Sequence, residues 1–214
     1  MKHALSALAL SLGLLWPALA SAQELGAKGD AIFSVDRLMG ISGTHVAGER
    51  VPSHVQYHDD WTSISFGWRA SPDTSPFDMP RFAFDYLVIN HLSIGGSLGY
   101  VSLDANDAND ISMFEVSPRI GYLYSFGRVV GIWPRGGFTY HSTSVNNGYD
   151  EKGFALTLEC PFTFSPATHF AFHVGPTFDV DMFGSRDPAA GMDPDKGDRT
   201  YRTFGLSAGL LGWL

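Results

Sequence analysis

Large apolar residues alternate with small or polar ones along much of this chain, at the period of two that marks strands with unlike faces. From Phe170 to Met182 one face reads Phe170, Phe172, Val174, Pro176, Phe178, Val180 and Met182, and the other Ala171, His173, Gly175, Thr177, Asp179 and Asp181. Phe154 to Phe164 sets Phe154, Leu156, Leu158, Cys160, Phe162 and Phe164 against Ala155, Thr157, Glu159, Pro161 and Thr163. Phe114 to Phe126 and Leu92 to Tyr100 follow the same rule. These runs are 9 to 13 residues long. Ordinary strands have about 5–6 residues, whereas tilted strands that cross a bilayer need about 9–11.

The connections alternate in length. Asn90-His91, Gly127-Arg128 and Ser165 to His169 are short, while 104–112, 144–152 and 184–200 are long and rich in Asp, Asn and Gly. Short turns at one end and long loops at the other are the asymmetry of an outer-membrane barrel. Nine candidate strands result: 31–41, 61–69, 81–90, 92–103, 113–126, 130–142, 153–164, 170–183 and 201–213. A bacterial barrel needs an even number, and turn parity leaves one ascending strand before 81–90. Segment 61–69 is therefore expected as an extracellular extension or hairpin arm. The predicted fold is all-β, a closed antiparallel up-and-down transmembrane barrel of eight strands, with ten as the alternative. In 31–41, Asp36 and Arg37 cannot share a face without a bulge. Pro118, Pro134, Pro161 and Pro176 interrupt the hydrogen-bond ladder, so bulges are expected there too.

The N-terminus adds a destination. Lys2 and His3 precede an apolar run from Ala4 to Trp16, Pro17 breaks it, and Ala18 to Ala22 supplies small residues for cleavage. This is the plan of a secretory signal peptide, 1–22, too short for a transmembrane helix of about 20 residues. Removing 22 residues from 214 leaves a 192-residue barrel domain, 23–214, with no length left for a second domain. Its 13 basic and 22 acidic residues make nucleic acid a poor partner. The single Cys160 excludes an internal disulfide.

Three segments share Pro-Arg with an aromatic three residues after the Arg: Arg81 with Phe84, Arg119 with Tyr122, Arg135 with Phe138. That spacing puts Arg and aromatic on opposite faces. An Arg facing lipid near mid-bilayer costs about 2–4 kcal/mol, so the arginines are expected inside. Asp85, Glu115, Glu159, Asp179 and Asp181 fall on the same inner face. The predicted lumen network is therefore Arg81, Asp85, Glu115, Arg119, Arg135, Glu159, Asp179 and Asp181. An eight-stranded barrel is just wide enough for side chains to fill, so these charges form either a packed plug or a narrow ion path. Phe126, Phe164, Phe170, Tyr140 and Tyr201 read as an aromatic girdle.

Other chemistry is thinly represented. His45, His54 and His58 fall in the long first loop, and no histidine pair has zinc-site spacing. Asp104 to Asp110 lacks the central Gly and terminal Glu of an EF-hand loop, and Asp193 to Asp198 reads likewise as a solvated loop. No metal or cofactor is expected. His141-Ser142-Thr143-Ser144 faintly resembles the His/Ser region of outer-membrane lipid A deacylases, but those place Ser two residues after His, where Thr143 stands here.

The signal segment, the alternating strands, the hairpin 85–100 and the apolar final strand resemble the OmpA/OmpX-like small outer-membrane barrels. Leu214 stands where such proteins usually end in Phe. The resemblance implies a monomer in the bacterial outer membrane. Its partners would be membrane lipid, lipopolysaccharide and the barrel insertion machinery. The favoured function is a non-enzymatic structural or surface-interacting barrel. The alternatives are a lipid hydrolase using the His141 region and a soluble lipocalin-like barrel, with its aromatic face turned inward.

Overall fold

A computed structural model describes residues 25–50, 55–68, 75–103, 110–146, 148–188 and 197–214. The signal segment, His54 and the centres of two Asp-rich loops lie outside the described residues. Twelve strands and one turn of 3₁₀ helix follow in order. They are β1 (Ala31–Arg50), β2 (Val55–Phe66), η1 (Pro76–Asp78), β3 (Arg81–Ile89), β4 (Leu92–Leu103), β5 (Ile111–Tyr122), β6 (Tyr124–Ser125), β7 (Val130–Ile132), β8 (Arg135–Val145), β9 (Tyr149–Glu159), β10 (Phe162–Ala167), β11 (Phe170–Pro188) and β12 (Gly197–Trp213).

Eleven of them make a wall of eight positions, and β2 lies off it. β5 and β6 form one of them, as do β7 and β8, and β9 and β10. Every pairing is antiparallel, and β12 closes the cylinder on β1 from Ile32↔Trp213 up to Gly48↔Arg199. Leu214 and Ala31 exchange backbone hydrogen bonds at the seam. Closure leaves no lipid-exposed edge at that join, which a bilayer requires. Two of the interruptions are at proline: the wall breaks at Trp133-Pro134 and Cys160-Pro161, while Pro118 and Pro176 stay inside β5 and β11.

β2 is the expected arm. It pairs with β1 from Met39↔Phe66 upward, whereas β3 pairs with the same edge of β1 below, from Ala31↔Tyr86 to Asp36↔Arg81. The switch coincides with a register shift between Val35 and Met39 and with a left-handed backbone at Arg37, φ 53°. That bulge turns both Asp36 and Arg37 inward, and both are buried.

Some expectations need correction. Residues 144–152 are not a long loop, since β8 and β9 stay paired as far as Val145↔Tyr149. The 184–200 segment is largely strand at both ends, and residues 42–50 continue β1. His45 and His58 therefore sit on the paired strands β1 and β2, opposite Asp60 and Ala47, and not in a loop. The cause is long-range pairing, which overrides the turn-forming tendency of Asp, Asn and Gly.

The wall's outer face carries the bulky apolar side chains: Phe82, Ile94, Leu98, Ile120, Phe162, Phe172 and Leu206 are all exposed. Inside, the lumen is layered. At the short-turn end Leu25, Ile32, Leu87, Leu123, Trp133, Ala171, Leu211 and Trp213 form an apolar floor. Residues 25–30 run across this mouth, bonded to Leu87 and His91. At the other end two apolar clusters face each other. Met79, Val101, Ile111 and Met113 form one, and Val46, Phe77, Ala155 and Tyr201 the other. Tyr201 is thus a lumen residue and not part of the girdle. Its neighbours in β12, Thr200 and Arg202, are more exposed and point outward, so the alternation there has the opposite phase to that assumed for an interfacial tyrosine.

A charge on the outside should test the depth of this band. Leu98→Arg, midway along β4, is expected to lower folding free energy in lipid vesicles by about 2–4 kcal/mol, and Phe126→Arg at the rim by about 0–1, measured by urea titration.

Candidate functional site

The middle layer of the lumen is ionic. All eight charged residues expected from the sequence are buried. Asp85, Arg119, Arg135, Glu159 and Asp179 join Asp36, Arg37 and His173 in one cluster, Arg81 pairs with Glu115, and Asp181 pairs with His141. Arg37 is the hub. Its guanidinium donates to Glu159 Oε1 from Nε (3.1 Å) and Nη2 (2.9 Å), and to Asp179 from Nη1 (2.8 Å) and Nη2 (3.0 Å). A fifth bond, 2.6 Å, goes to the carbonyl of Phe77. Three remote segments, β9, β11 and η1, are thereby tied to β1.

Arg119 makes the second knot. It grips Asp85 through Nε and Nη2 in a bidentate pair and reaches Asp36 with Nη1. Two-point guanidinium–carboxylate geometry is the strong form of this interaction. Arg135 bonds Glu159 Oε2 at 2.7 Å and lies 3.4 Å from Asp36. Its guanidinium also rests over the Trp133 ring, 4.7 Å from the centroid, and the indole donates to Ser93. Arg81 pairs with Glu115. His173 closes on Asp36 at 3.1 Å, and Ser34 donates to the same carboxylate.

Hydroxyls complete the layer. Thr157 donates to Asp179 at 2.7 Å and Thr139 links Thr157 to Ser117. Above, η1 folds inward as a stopper. Asp78 accepts from Ser42 and Ser63, Ser75 meets Thr203, and the Phe77 ring stands edge-on to His141 and Tyr201.

Asp36, Arg37, His173 and Asp78 were absent from the expected network. Asp36-Arg37 was visible as the pair that breaks the alternation of its strand. His173 was on the inner-face list without an assigned role. Asp78 had a fainter signal: Pro76 and Pro80 bracket a short segment that cannot join a ladder.

His141 is buried in the lumen, with Nε2 3.0 Å from Asp181 Oδ1, while Asp181 Oδ2 accepts from the Tyr201 amide. Thr143 shares its inner face and Ser142 lies on the other. Among the described residues no hydroxyl is hydrogen-bonded to His141. No group of three or more His, Cys, Asp or Glu side chains is placed to hold a metal ion there either.

A closed cylinder with apolar residues outside and paired charges inside is a transmembrane β-barrel of the outer-membrane class. No family model matches the chain, and no curated protein matches it by sequence. Solved structures do match in architecture. Neisserial surface protein A is similar over 87% of this chain and 98% of its own, at 12% identity and TM-score 0.50. The outer membrane protein OprG from Pseudomonas aeruginosa is similar over 88% and 99%, at 12% identity and TM-score 0.51. These likenesses establish the small-barrel fold.

Breaking one knot should loosen the whole layer. Removing one partner of a buried pair strands the other's charge, at about 3–5 kcal/mol. Arg119→Leu and Glu159→Leu are each expected to lower folding free energy on that scale. The same variants should lower the temperature at which the folded band shifts on heat-modifiable gels.

Proposed function

We propose that this chain is a non-enzymatic integral outer-membrane barrel, structural or surface-interacting, whose lumen is held shut. The observation that carries the reading is the Arg37 hub, whose five hydrogen bonds fasten Glu159, Asp179 and the η1 stopper across the bore. Charges in such a bore attract ions only if water reaches them. Here the apolar floor and the two upper apolar clusters lie on either side of the ionic layer. Electrostatic attraction strengthens in that drier interior, which favours a plug over an ion path.

The hydrolase reading has less support. His141 has a carboxylate partner, but Phe77 and Tyr201 pack on its ring, and among the described residues no hydroxyl is hydrogen-bonded to it. An activated hydroxyl needs a base within hydrogen-bond distance. A lipocalin-like ligand barrel requires the aromatic face inside, and the exposed Phe82, Phe162 and Phe172 place it outside.

Planar-bilayer recordings test the closed state. The purified chain is expected to give no sustained single-channel steps. Arg37→Ala combined with Phe77→Gly should give ion-conducting events. Steady conductance by the unmodified chain would sink the plug, and unaltered lipid A in cells overproducing the protein would remove the hydrolase.

A further inference from the structure

β1 and β2 continue above the apolar Ile41 and Ile64 as a paired arm, in register up to Arg50↔Val55. Thr44 and Val46 are buried in the bore, and Tyr57 and Trp61 pack on the apolar cluster there. The alternate positions therefore face outward: His45 and Ala47 on β1, His58 and Asp60 on β2. The register sets His45 opposite Asp60 and Ala47 opposite His58. The two histidines are thus diagonal neighbours on one face, a separation that aromatic and long side chains bridge. Their rings do meet, with centroids 5.7 Å apart and planes 17° apart.

His45 is oriented as a ligand. Its Nδ1 lies 2.7 Å from Asp60 Oδ1. An ionised carboxylate only accepts, so in the neutral ring Nδ1 carries the proton and Nε2 keeps its lone pair. Carboxylate, imidazole and ion in that order are how proteins fix a metal-binding histidine. The ring separation agrees. A zinc–nitrogen bond of about 2.0–2.1 Å puts the ion about 3.2 Å from a ring centroid, and two such rings around one ion have centroids about 5–6 Å apart. Among the described residues no third His, Cys, Asp or Glu completes a cage, which leaves the other positions to water or an outside ligand.

We propose that His45 and His58 bind a divalent transition-metal ion of the zinc type, with Asp60 as the positioning residue for His45. Imidazole nitrogen suits such ions, whereas calcium and magnesium take oxygen. The β1–β2 ladder holds both histidines in place beforehand, so little freedom is lost on binding. Arg202, the register partner of His45 on β12, faces outward and opposes a cation. Asp60 therefore serves the site by its charge as well as by its hydrogen bond. Sequence spacing hides the pair because its members meet only across two strands.

The test uses the full, untagged chain in detergent micelles, titrated with Zn2+ in a calorimeter. Heat-modifiable mobility reports the folding of each variant separately. One equivalent of Zn2+ is expected to bind, and zinc-edge X-ray absorption should show two imidazole nitrogens. His45→Ala and His58→Ala should each weaken binding at least about tenfold, and Asp60→Asn about tenfold by releasing the His45 ring. Arg202→Gln should bind at least as tightly as the unmodified chain. His169→Asn, at a short turn, should change nothing. No saturable binding, full binding by the folded double variant His45→Ala with His58→Ala, or displacement of the ion by millimolar Ca2+ would overturn the proposal.

Discussion

A guanidinium inside a narrow barrel has no bulk water to solvate it, and that constraint organises the structure. An uncompensated buried charge costs several kcal/mol, so each lumen arginine must reach a carboxylate on another strand. Arg37 meets the demand only by adopting a left-handed backbone, φ 53°. A non-glycine residue there costs about 1–3 kcal/mol and persists only when its surroundings fix it. Here the five bonds of its guanidinium do so. The bulge that makes room for it also ends the β1–β3 ladder and begins the β1–β2 ladder. In the segment between β2 and β3, η1 lies in the bore, where Arg37 binds the carbonyl of Phe77. One inward-turning side chain thus accounts for the extra strand, the break in the wall and the stopper.

The apolar layers act on the ionic one. Trp133 stands at their junction. It belongs to the floor by its burial among Leu123, Leu211 and Trp213, and to the network by supporting Arg135 from below. Phe77 does the same from above, packing on His141 while its carbonyl faces Arg37. Contacts of this kind exclude water from the pairs and hold their geometry, and a buried ion pair favours folding only when its geometry is good and its remaining donors and acceptors are satisfied. The ionic layer therefore selects one register for the wall as much as it stabilises it. Sliding any strand by one residue would send its charges into lipid.

Most of the wall was legible because the bilayer imposes one rule on every strand. Where Arg and an aromatic stand three apart, only one orientation is tolerable, and Arg81, Arg119 and Arg135 all obey it. Even the anomaly at Asp36-Arg37 announced a bulge. The illegible parts are those decided by distant partners. Nothing local in 42–50 distinguishes a strand from a polar loop, because the buried face carries Ser42, Thr44 and Val46 against Gly43, His45 and Ala47, with no contrast of bulky apolar and polar residues. Tyr201 was misread for a related reason: an aromatic near a strand end suits either an interface or a lumen, and only its bond to Asp181 and contact with Phe77 decide. The stopper was hidden because its anchors, Ser42, Ser63 and Thr203, are ordinary strand hydroxyls until the barrel closes.

The long upper strands bear on what the outer end can do. β1 and β2 stay paired from Met39↔Phe66 to Glu49↔Gln56, and β9 and β11 stay paired, across one register shift between Asp181 and Phe183, as far as Asp187↔Asp150. Backbone ladders of that length fix the relative positions of His45, His58, Asp60 and Arg202, whose counterparts on free loops would lose conformational entropy on meeting a partner. The stacked rings of His45 and His58, 5.7 Å apart, belong to that fixed surface. The lumen network and the outer surface have a common origin in β1, which supplies Arg37 to one and Gly43 and His45 to the other. In this barrel the chemistry available to solvent and lipid lies on the wall's outer side, because the inner side is consumed in neutralising itself.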